Sequence, residues 1–169
     1  MRLMMQSLLA ERFHLAVHYA AAEAAVFALV PVRPGVLGRS CNRILLPMTA
    51  AVRVGLPPAC GVIAHVAAAS PGQHYGGRGV PLELLATSIP TMTGLAAMPR
   101  PVVDRSGLNG VYDFTLDWVH DATPDAGVVT DNAAAMRDAL KSELGLELKP
   151  ARAPVRFLIV DRVEKPGPN

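Results

Sequence analysis

The chain contains the stretch Val111-Tyr112-Asp113-Phe114-Thr115-Leu116-Asp117-Trp118, and this stretch decides its fold. Large apolar side chains alternate with polar ones along it without a break. Successive side chains of a β-strand point to opposite faces, so every second residue from Tyr112 to Trp118 is expected to face a core. The pattern predicts a half-buried strand, which is typical of an antiparallel sheet.

A turn signal lies directly before this strand. Gly107-Leu108-Asn109-Gly110 separates it from a short β-prone run at 101–104. Asn-Gly is a strong hairpin signal because both residues tolerate a positive φ. We therefore predict a tight hairpin, capped by the side chain of Asp104 or Ser106. The residues that define this hairpin are Asp104, Gly107, Asn109, Gly110, Tyr112 and Asp113.

A helix–strand–strand order recurs three times along the chain. The predicted helices span 1–13, 81–89 and 132–144, and the predicted strands span 14–19, 25–32, 101–104, 111–118, 146–149 and 155–161. Pro81 suits a first helical position and Pro90 is expected to end that helix. Asp131 and Gly145 are expected to cap the last helix, whose buried stripe is Ala133, Met136, Leu140 and Leu144.

Together these elements predict an α+β fold. Three such units are expected to share one antiparallel-rich sheet, with the helices packed on one face. The last strand, 155–161, is apolar on both faces at its middle, which favours a central position in that sheet. The length of 169 residues suits a single domain, here 1–165, with a frayed tail at 166–169.

One long stretch, 33–79, shows no sustained hydrophobic period. It holds many of the prolines and glycines and both cysteines, so we predict an irregular insertion. Cys41 and Cys60 match no zinc-binding spacing. A structural disulfide and two free buried thiols both remain open on this reasoning.

The composition excludes several classes of protein. The chain is 51% hydrophobic and 18% charged, the opposite of the balance that keeps a chain disordered. Its net charge is +2 and its basic residues are scattered, so we expect no nucleic-acid binding. The apolar run 15–32 is interrupted by polar residues and a proline, and we expect no membrane span. No export signal is visible, which predicts a cytoplasmic protein if Met1 is the true start.

The common catalytic motifs are absent from the sequence. It has no phosphate-binding loop, no nucleophile elbow and no zinc-binding helix, so we expect no cofactor, no metal and no catalytic site. His14 and His18 share a face of the predicted strand but lie about 13 Å apart, too far to hold one ion. Asp113 and Asp117 occupy the polar face of a strand, where solvated carboxylates are ordinary.

The segment Pro101 to Leu116 resembles the signature of the "soil-associated protein" family, an uncharacterised bacterial domain. Further segments of resemblance are 8–18, 26–30, 60–61, 77–80, 144–148, 153–155 and 159–166, so the likeness covers essentially the whole chain. The family has no established activity. Its members are exported or attached behind BlaR-type membrane metallopeptidase sensors, and they have a further N-terminal half. The resemblance thus implies an extracytoplasmic C-terminal part of a longer domain, in which a Cys41–Cys60 bridge is expected.

The leading functional hypothesis is a non-catalytic extracytoplasmic binding or sensor module. Its ligand is expected to be a peptide, a cell-wall fragment or another protein, and an exposed sheet edge is one route for a partner strand. One alternative is a hydrolase whose site is assembled from His14, His18, Asp104 and Asp113. A second alternative is a nonfunctional remnant of a longer protein.

Overall fold

The computed structural model describes residues 2–33, 37–39, 55–68, 70–94, 98–119 and 132–166, and it confirms the α+β class. The elements are α1 (Arg2–Phe13), β1 (Ala16–Pro31), β2 (Gly38–Arg39), β3 (Val62–His65), β4 (Gln73–Val80), α2 (Leu82–Thr93), β5 (Val102–Asp104), β6 (Tyr112–Trp118), α3 (Asn132–Ala139), continued by a π-helical turn (Leu140–Leu144), and β7 (Leu146–Arg162). The predicted N-cap, Asp131, and residues 167–169 of the predicted tail lie outside the described residues.

The chain is divided between two compact units. The first unit comprises residues 1–24 and 152–169, and the second comprises residues 25–151. The long strands β1 and β7 contribute residues to both units.

The strands form two sheets, not the single shared sheet that the sequence pattern suggested. The first has the order β5–β1–β7, with β1 and β5 parallel and Phe27 opposite Val102. The second has the order β2–β6–β4–β3 and is antiparallel throughout its described pairs. The predicted repeat of one helix and two strands is therefore not a structural repeat. In its middle copy the two strands join different sheets, and in its first and third copies the two predicted strands form one continuous strand, β1 or β7.

The core of the second unit forms where sequence periodicity predicts it. Strand β6 buries every second residue from Tyr112 to Trp118, as predicted. The predicted stripe on α3 and the π-helical turn is buried, and Gly145 has the left-handed C-cap conformation. The largest side chains with almost no exposure are Leu29, Leu82, Leu85, Ile89, Met98, Leu116, Met136, Leu140 and Leu146.

Two predicted breaks are in fact strand. Residues 20–24, expected to be an alanine-rich turn, continue β1, and residues 150–154 continue β7 through Pro150 and Pro154. Proline is tolerated here because β7 has a neighbour on one side only among the described strands, and an edge strand need not donate every backbone N–H. The same observation corrects the expectation that 155–161 is a central strand.

The predicted insertion 33–79 also holds regular structure, since β3 and β4 lie within it. Strand β4 escapes sequence analysis because glycines interrupt its alternation. A Cβ on Gly77 would overlap the ring of Phe114, and a Cβ on Gly76 would overlap the carbonyl oxygen of Gly55. These glycines are needed for close approach across the sheet.

Helix α2 differs from its prediction at both ends. Pro81 is the N-cap residue with extended backbone, and helical backbone begins at Leu82. The helix then continues past Pro90 to Thr93. Burial of Met92 and Thr93 accompanies this last turn, and the Thr93 hydroxyl donates to the Ile89 carbonyl at 3.0 Å.

Candidate functional site

The predicted hairpin at 101–114 is a connection between sheets. Strand β5 pairs with β1, whereas β6 pairs with β4 and β2, so the hairpin prediction is wrong. The predicted side-chain hydrogen bonds within this segment are nevertheless present at two residues. Asp104 Oδ1 accepts from the Ser106 amide at 2.8 Å, and Ser106 Oγ accepts from the Leu108 amide at 3.1 Å.

The remaining residues of this segment also have structural roles. Positive φ angles occur at Gly107 (67°) and Gly110 (131°) and not at Asn109, which corrects the expected Asn-Gly turn. The Tyr112 hydroxyl donates to the Asn109 carbonyl at 3.3 Å. A local turn signal cannot specify which strand the following residues pair with, and here the chain crosses from one sheet to the other.

Asp113 holds the register of the neighbouring strand. Its Oδ1 accepts the backbone N–H of Gly79 at 2.7 Å. Gly79 lies where the β4–β6 register shifts between Gly77 and Val80. The expectation of a merely solvated carboxylate is therefore wrong for Asp113, because its oxygen satisfies a buried amide in an irregular part of the ladder.

The most concentrated polar chemistry in the second unit surrounds His74. This ring is only 7% exposed. Its Nδ1 lies 2.9 Å from Asp117 Oδ1 across the β4–β6 pair. Its Nε2 lies 2.9 Å from the carbonyl oxygen of Ser70 and 3.5 Å from the Ser70 hydroxyl.

The partners of His74 favour its charged form. The hydrogen bond to Asp117 raises the pKa of His74, and the backbone carbonyl of Ser70 raises it further. Asp117 is itself anchored, since its amide donates to Glu143 Oε2 at 3.0 Å. Burial raises the pKa of Glu143, which sits beside the Asp117 carboxylate.

Ser70, His74 and Asp117 are the three residue types of a hydrolytic triad, but their hydrogen bonds differ from those of a triad. A general base needs an unprotonated ring nitrogen directed at the nucleophile. Here both ring nitrogens face acceptors, a carboxylate and a carbonyl, so each is placed to donate a proton. The arrangement joins the turn at Ser70 to β4 and β6, and the protonated ring has no lone pair to accept the proton of the serine hydroxyl.

Sequence reasoning missed the His74–Asp117 pair. His74 was assigned to the irregular insertion, and the pairing depends on the register of β4 against β6. The available signal was alternation from Gln73 onward, but it stops at Gly76 because glycine carries no side chain to mark a face.

The residues of the predicted hydrolytic alternative have separate local partners. His14 Nδ1 lies 3.0 Å from Glu164 and His18 Nδ1 lies 2.8 Å from Asp161, all in the first unit. Asp104 and Asp113 accept backbone amides in the second unit.

Among the described residues, no cluster of three or more His, Cys, Asp or Glu side chains is placed to hold a metal ion. Cys60 lies in the turn that leads into β3. Its predicted partner, Cys41, is outside the described residues, so the bridge stays a prediction.

The first unit differs in kind, because it exposes its apolar side chains. Its exposed large apolar residues are Leu3, Met4, Met5, Leu8, Val17, Tyr19, Phe157, Leu158, Ile159, Val160 and Val163. They lie on α1 and on the parts of β1 and β7 that belong to this unit, except Val163, which directly follows β7. The parts of β1 and β7 that belong to this unit are called the ribbon below. Exposed apolar patches of this kind mark interaction surfaces.

This geometry defines the protein as an α+β protein with an exposed apolar ribbon and a set of structural hydrogen bonds around His74. The chain belongs to the family described as protein of unknown function DUF3738, whose model matches residues 1–163. No curated protein and no solved structure matches the chain. Across the described residues, no helix is long and apolar enough to cross a membrane.

Proposed function

We propose that this domain is a non-catalytic extracytoplasmic binding module of the sensor type, and that the ribbon binds an extended segment of a protein partner. One observation carries the proposal. The adjacent residues Phe157 and Leu158 lie on opposite faces of β7, yet they are 42% and 56% exposed. A strand that leaves large apolar side chains exposed on both faces has a surface suited to a partner.

The edge of the ribbon suits strand addition. Among the described strands, β7 has only β1 beside it, and it is 17 residues long. An extended peptide can pair with the backbone of such an edge, while alternate side chains give specificity. Most natural edge strands of this length are covered or blocked, because an open edge promotes association.

Polar contacts keep the two strands of the ribbon in register without covering it. His18 pairs with Asp161 at 2.8 Å on one face. On the other face the Arg156 guanidinium lies 4.6 Å from the centre of the Tyr19 ring. Arg152 donates to the Glu23 carbonyl at 3.5 Å. These exposed contacts fix an arrangement of strands and leave the apolar side chains between them accessible.

The non-catalytic part of the proposal is supported by the His74 cluster. Its ring nitrogens both face acceptors, and the residues of the hydrolytic alternative are engaged in separate contacts. Binding thus has a surface to support it, whereas the contacts of His14, His18 and His74 do not favour a role as a general base.

Extracytoplasmic location and a Cys41–Cys60 disulfide are part of the same proposal. The resemblance to the "soil-associated protein" family supports both. The segment before Cys60 lies against the four-stranded sheet, since Arg78 donates to the Pro58 carbonyl at 2.6 Å and the Gly61 amide donates to the Arg78 carbonyl at 2.7 Å. A bridge at Cys60 would fasten the preceding residues to this sheet.

Site-specific photo-crosslinking tests the proposed surface. A photoreactive phenylalanine analogue replaces Leu158 in the ribbon or, as a control, Leu84 on α2, and crosslinks form in the producing cell. Both leucines are exposed. We expect a defined crosslinked partner from position 158 and none from position 84. Identical products from the two positions, or none from either, would contradict the assignment of the ribbon as the binding surface.

Mass spectrometry of the native protein tests the location. Thiols are alkylated before reduction, and the N-terminus is read from the same sample. Protected cysteines and a start upstream of Met1 would support an exported, disulfide-stapled domain. Alkylated cysteines with a start at Met1 would contradict it.

A further inference from the structure

A cavity of about 340 Å³ lies in the second unit, beside the end of α2 and the residues that lead into β5. Three prolines contribute to its wall, Pro90, Pro99 and Pro101, together with the buried side chain of Met98. A cavity of this size admits a small molecule or one side chain with its neighbouring backbone. Its wall is mainly apolar.

Few groups in this wall can hydrogen-bond to a ligand. Proline has no backbone N–H, so three wall residues offer no donor. The Pro101 carbonyl already accepts from the Phe27 amide at 2.9 Å. The Thr87 hydroxyl is placed to donate to the carbonyls of Glu83 and Leu84, at 3.0 and 3.1 Å. The main donor that remains in the wall is the guanidinium of Arg100.

A second cation, Arg137, lies outside the cavity wall but shares a neighbour with Arg100. The guanidinium carbons of Arg100 and Arg137 lie 5.7 and 5.8 Å from the centre of the same ring, Phe27. In the described ranges, neither arginine forms an ion pair with a carboxylate. Arg137 Nε is moreover buried without a hydrogen-bond partner there. Two like charges near one ring, with no paired carboxylate among the described residues, produce a positive potential that favours an anion.

We propose that this cavity binds a carboxylate that carries an apolar group, with the carboxylate on Arg100 and the apolar group against Met98 and the prolines. A carboxylate matches the two parallel N–H donors of one guanidinium. A phosphate group has more oxygens and more charge than this donor-poor wall satisfies. The C-terminus of a peptide ending in an apolar residue and a short fatty acid both have the required chemistry.

The cavity is independent of the ribbon proposed above as a partner surface. All of its residues belong to the second unit, whereas the ribbon belongs to the first. The cavity site can therefore fail while the ribbon proposal holds, and the reverse is also true.

NMR titration of the purified full chain tests the cavity site. The probe is N-acetyl-leucine, and its neutral analogue N-acetyl-leucinamide is the ligand control. We expect saturable shifts at the Met98 methyl and the Val102 amide with the acid, and at least tenfold weaker binding of the amide, because the charge-assisted hydrogen bonds to Arg100 are lost. Acetate at the same ionic strength, which lacks the apolar group, is also expected to bind at least tenfold more weakly.

Two matched variants test whether Arg100 provides the charge that binds the carboxylate. Arg100→Gln is expected to weaken N-acetyl-leucine binding roughly tenfold, while Arg105→Gln, an exposed arginine outside the cavity wall, leaves it unchanged. Arg137→Gln is expected to have a smaller effect in the same direction. Circular dichroism of each variant confirms that it is folded.

A comparison of acetyl-Ala-Ala-Leu with octanoate distinguishes a peptide C-terminus from a short fatty acid as the natural ligand. Preference for either one supports the proposal and identifies the natural class of ligand. Equal binding of acid and amide, unchanged binding in Arg100→Gln, or no saturable shift with any carboxylate probe would overturn it.

Discussion

The two units of this protein treat similar apolar side chains in opposite ways. In the second unit, Leu116 on β6 is 0% exposed, in a core to which two helices and strands of both sheets contribute. In the first unit, Leu158 on β7 is 56% exposed. Both leucines lie in strands. The difference shows that burial of apolar side chains is concentrated in the second unit, whereas the first unit leaves such side chains exposed.

The largest expected effect comes from the matched pair Leu116→Ala and Leu158→Ala. Removing the buried leucine leaves a cavity and should cost about 2–5 kcal/mol of unfolding free energy. Removing the exposed one should cost less than about 0.5 kcal/mol. Urea titration followed by Trp118 fluorescence measures both, since this is the only tryptophan and it is buried. Equal losses from the two variants would remove the contrast between the units.

A second test concerns the close packing in the four-stranded sheet. Gly77→Ala places a Cβ against the Phe114 ring and should cost about 1–3 kcal/mol, the usual range for overpacking. The same substitution in a Phe114→Ala background should cost less, because the ring that it meets is gone. Identical costs in the two backgrounds would show that the glycine is needed for another reason.

The sequence predicted those parts of the fold whose signal is local. Strand β6 and the buried stripe of α3 are marked by their own periods of two and 3.6 residues. Strand β4 was missed because Gly76 and Gly77 are required by atoms of Gly55 and Phe114, which lie far away in sequence. The Asn109-Gly110 signal predicts a hairpin that does not form, because the partners of β5 and β6 depend on residues far away in sequence.

The candidate sites were less predictable than the fold for the same reason. The His74–Asp117 pair exists only because β4 and β6 pair in one register. The association of Arg100 and Arg137 around Phe27 joins residues from three parts of the chain. The exposure of the ribbon is the opposite of what the sequence predicts. Its apolar segment 155–161 indicates a buried central strand, because an apolar strand usually lies in a core.

A smaller effect is expected at Asp113, which satisfies the Gly79 amide. Asp113→Ala leaves that buried N–H without its acceptor and should cost about 1–2 kcal/mol. Asp113→Asn keeps an acceptor oxygen at the same place and should recover most of the loss. Urea titration of both variants provides the measurement. If asparagine were as damaging as alanine, the charge of Asp113 and not its hydrogen bond would be what matters.

The smallest effect is a pH dependence of stability that comes from His74. The Asp117 hydrogen bond raises the pKa of His74 in the folded protein above the ordinary value of 6.5. A group whose pKa is raised by folding stabilises the fold fully below its unfolded pKa and loses that stabilisation as the pH rises through its folded pKa. The unfolding free energy of the wild type should therefore fall from pH 6.5 upward, and that fall should be smaller in His74→Gln. Urea titrations at several pH values measure this difference.

The matched control for this pH dependence is His18→Gln in the first unit. The His18–Asp161 pair has nearly the same length as the His74–Asp117 pair, 2.8 against 2.9 Å, but both of its side chains are about half exposed. Solvent screening makes such pairs weak, so this variant should keep the wild-type pH profile. The slope that remains in His74→Gln belongs to other groups. If His18→Gln flattened the profile and His74→Gln did not, the pH-sensitive contact would lie in the ribbon and not between β4 and β6.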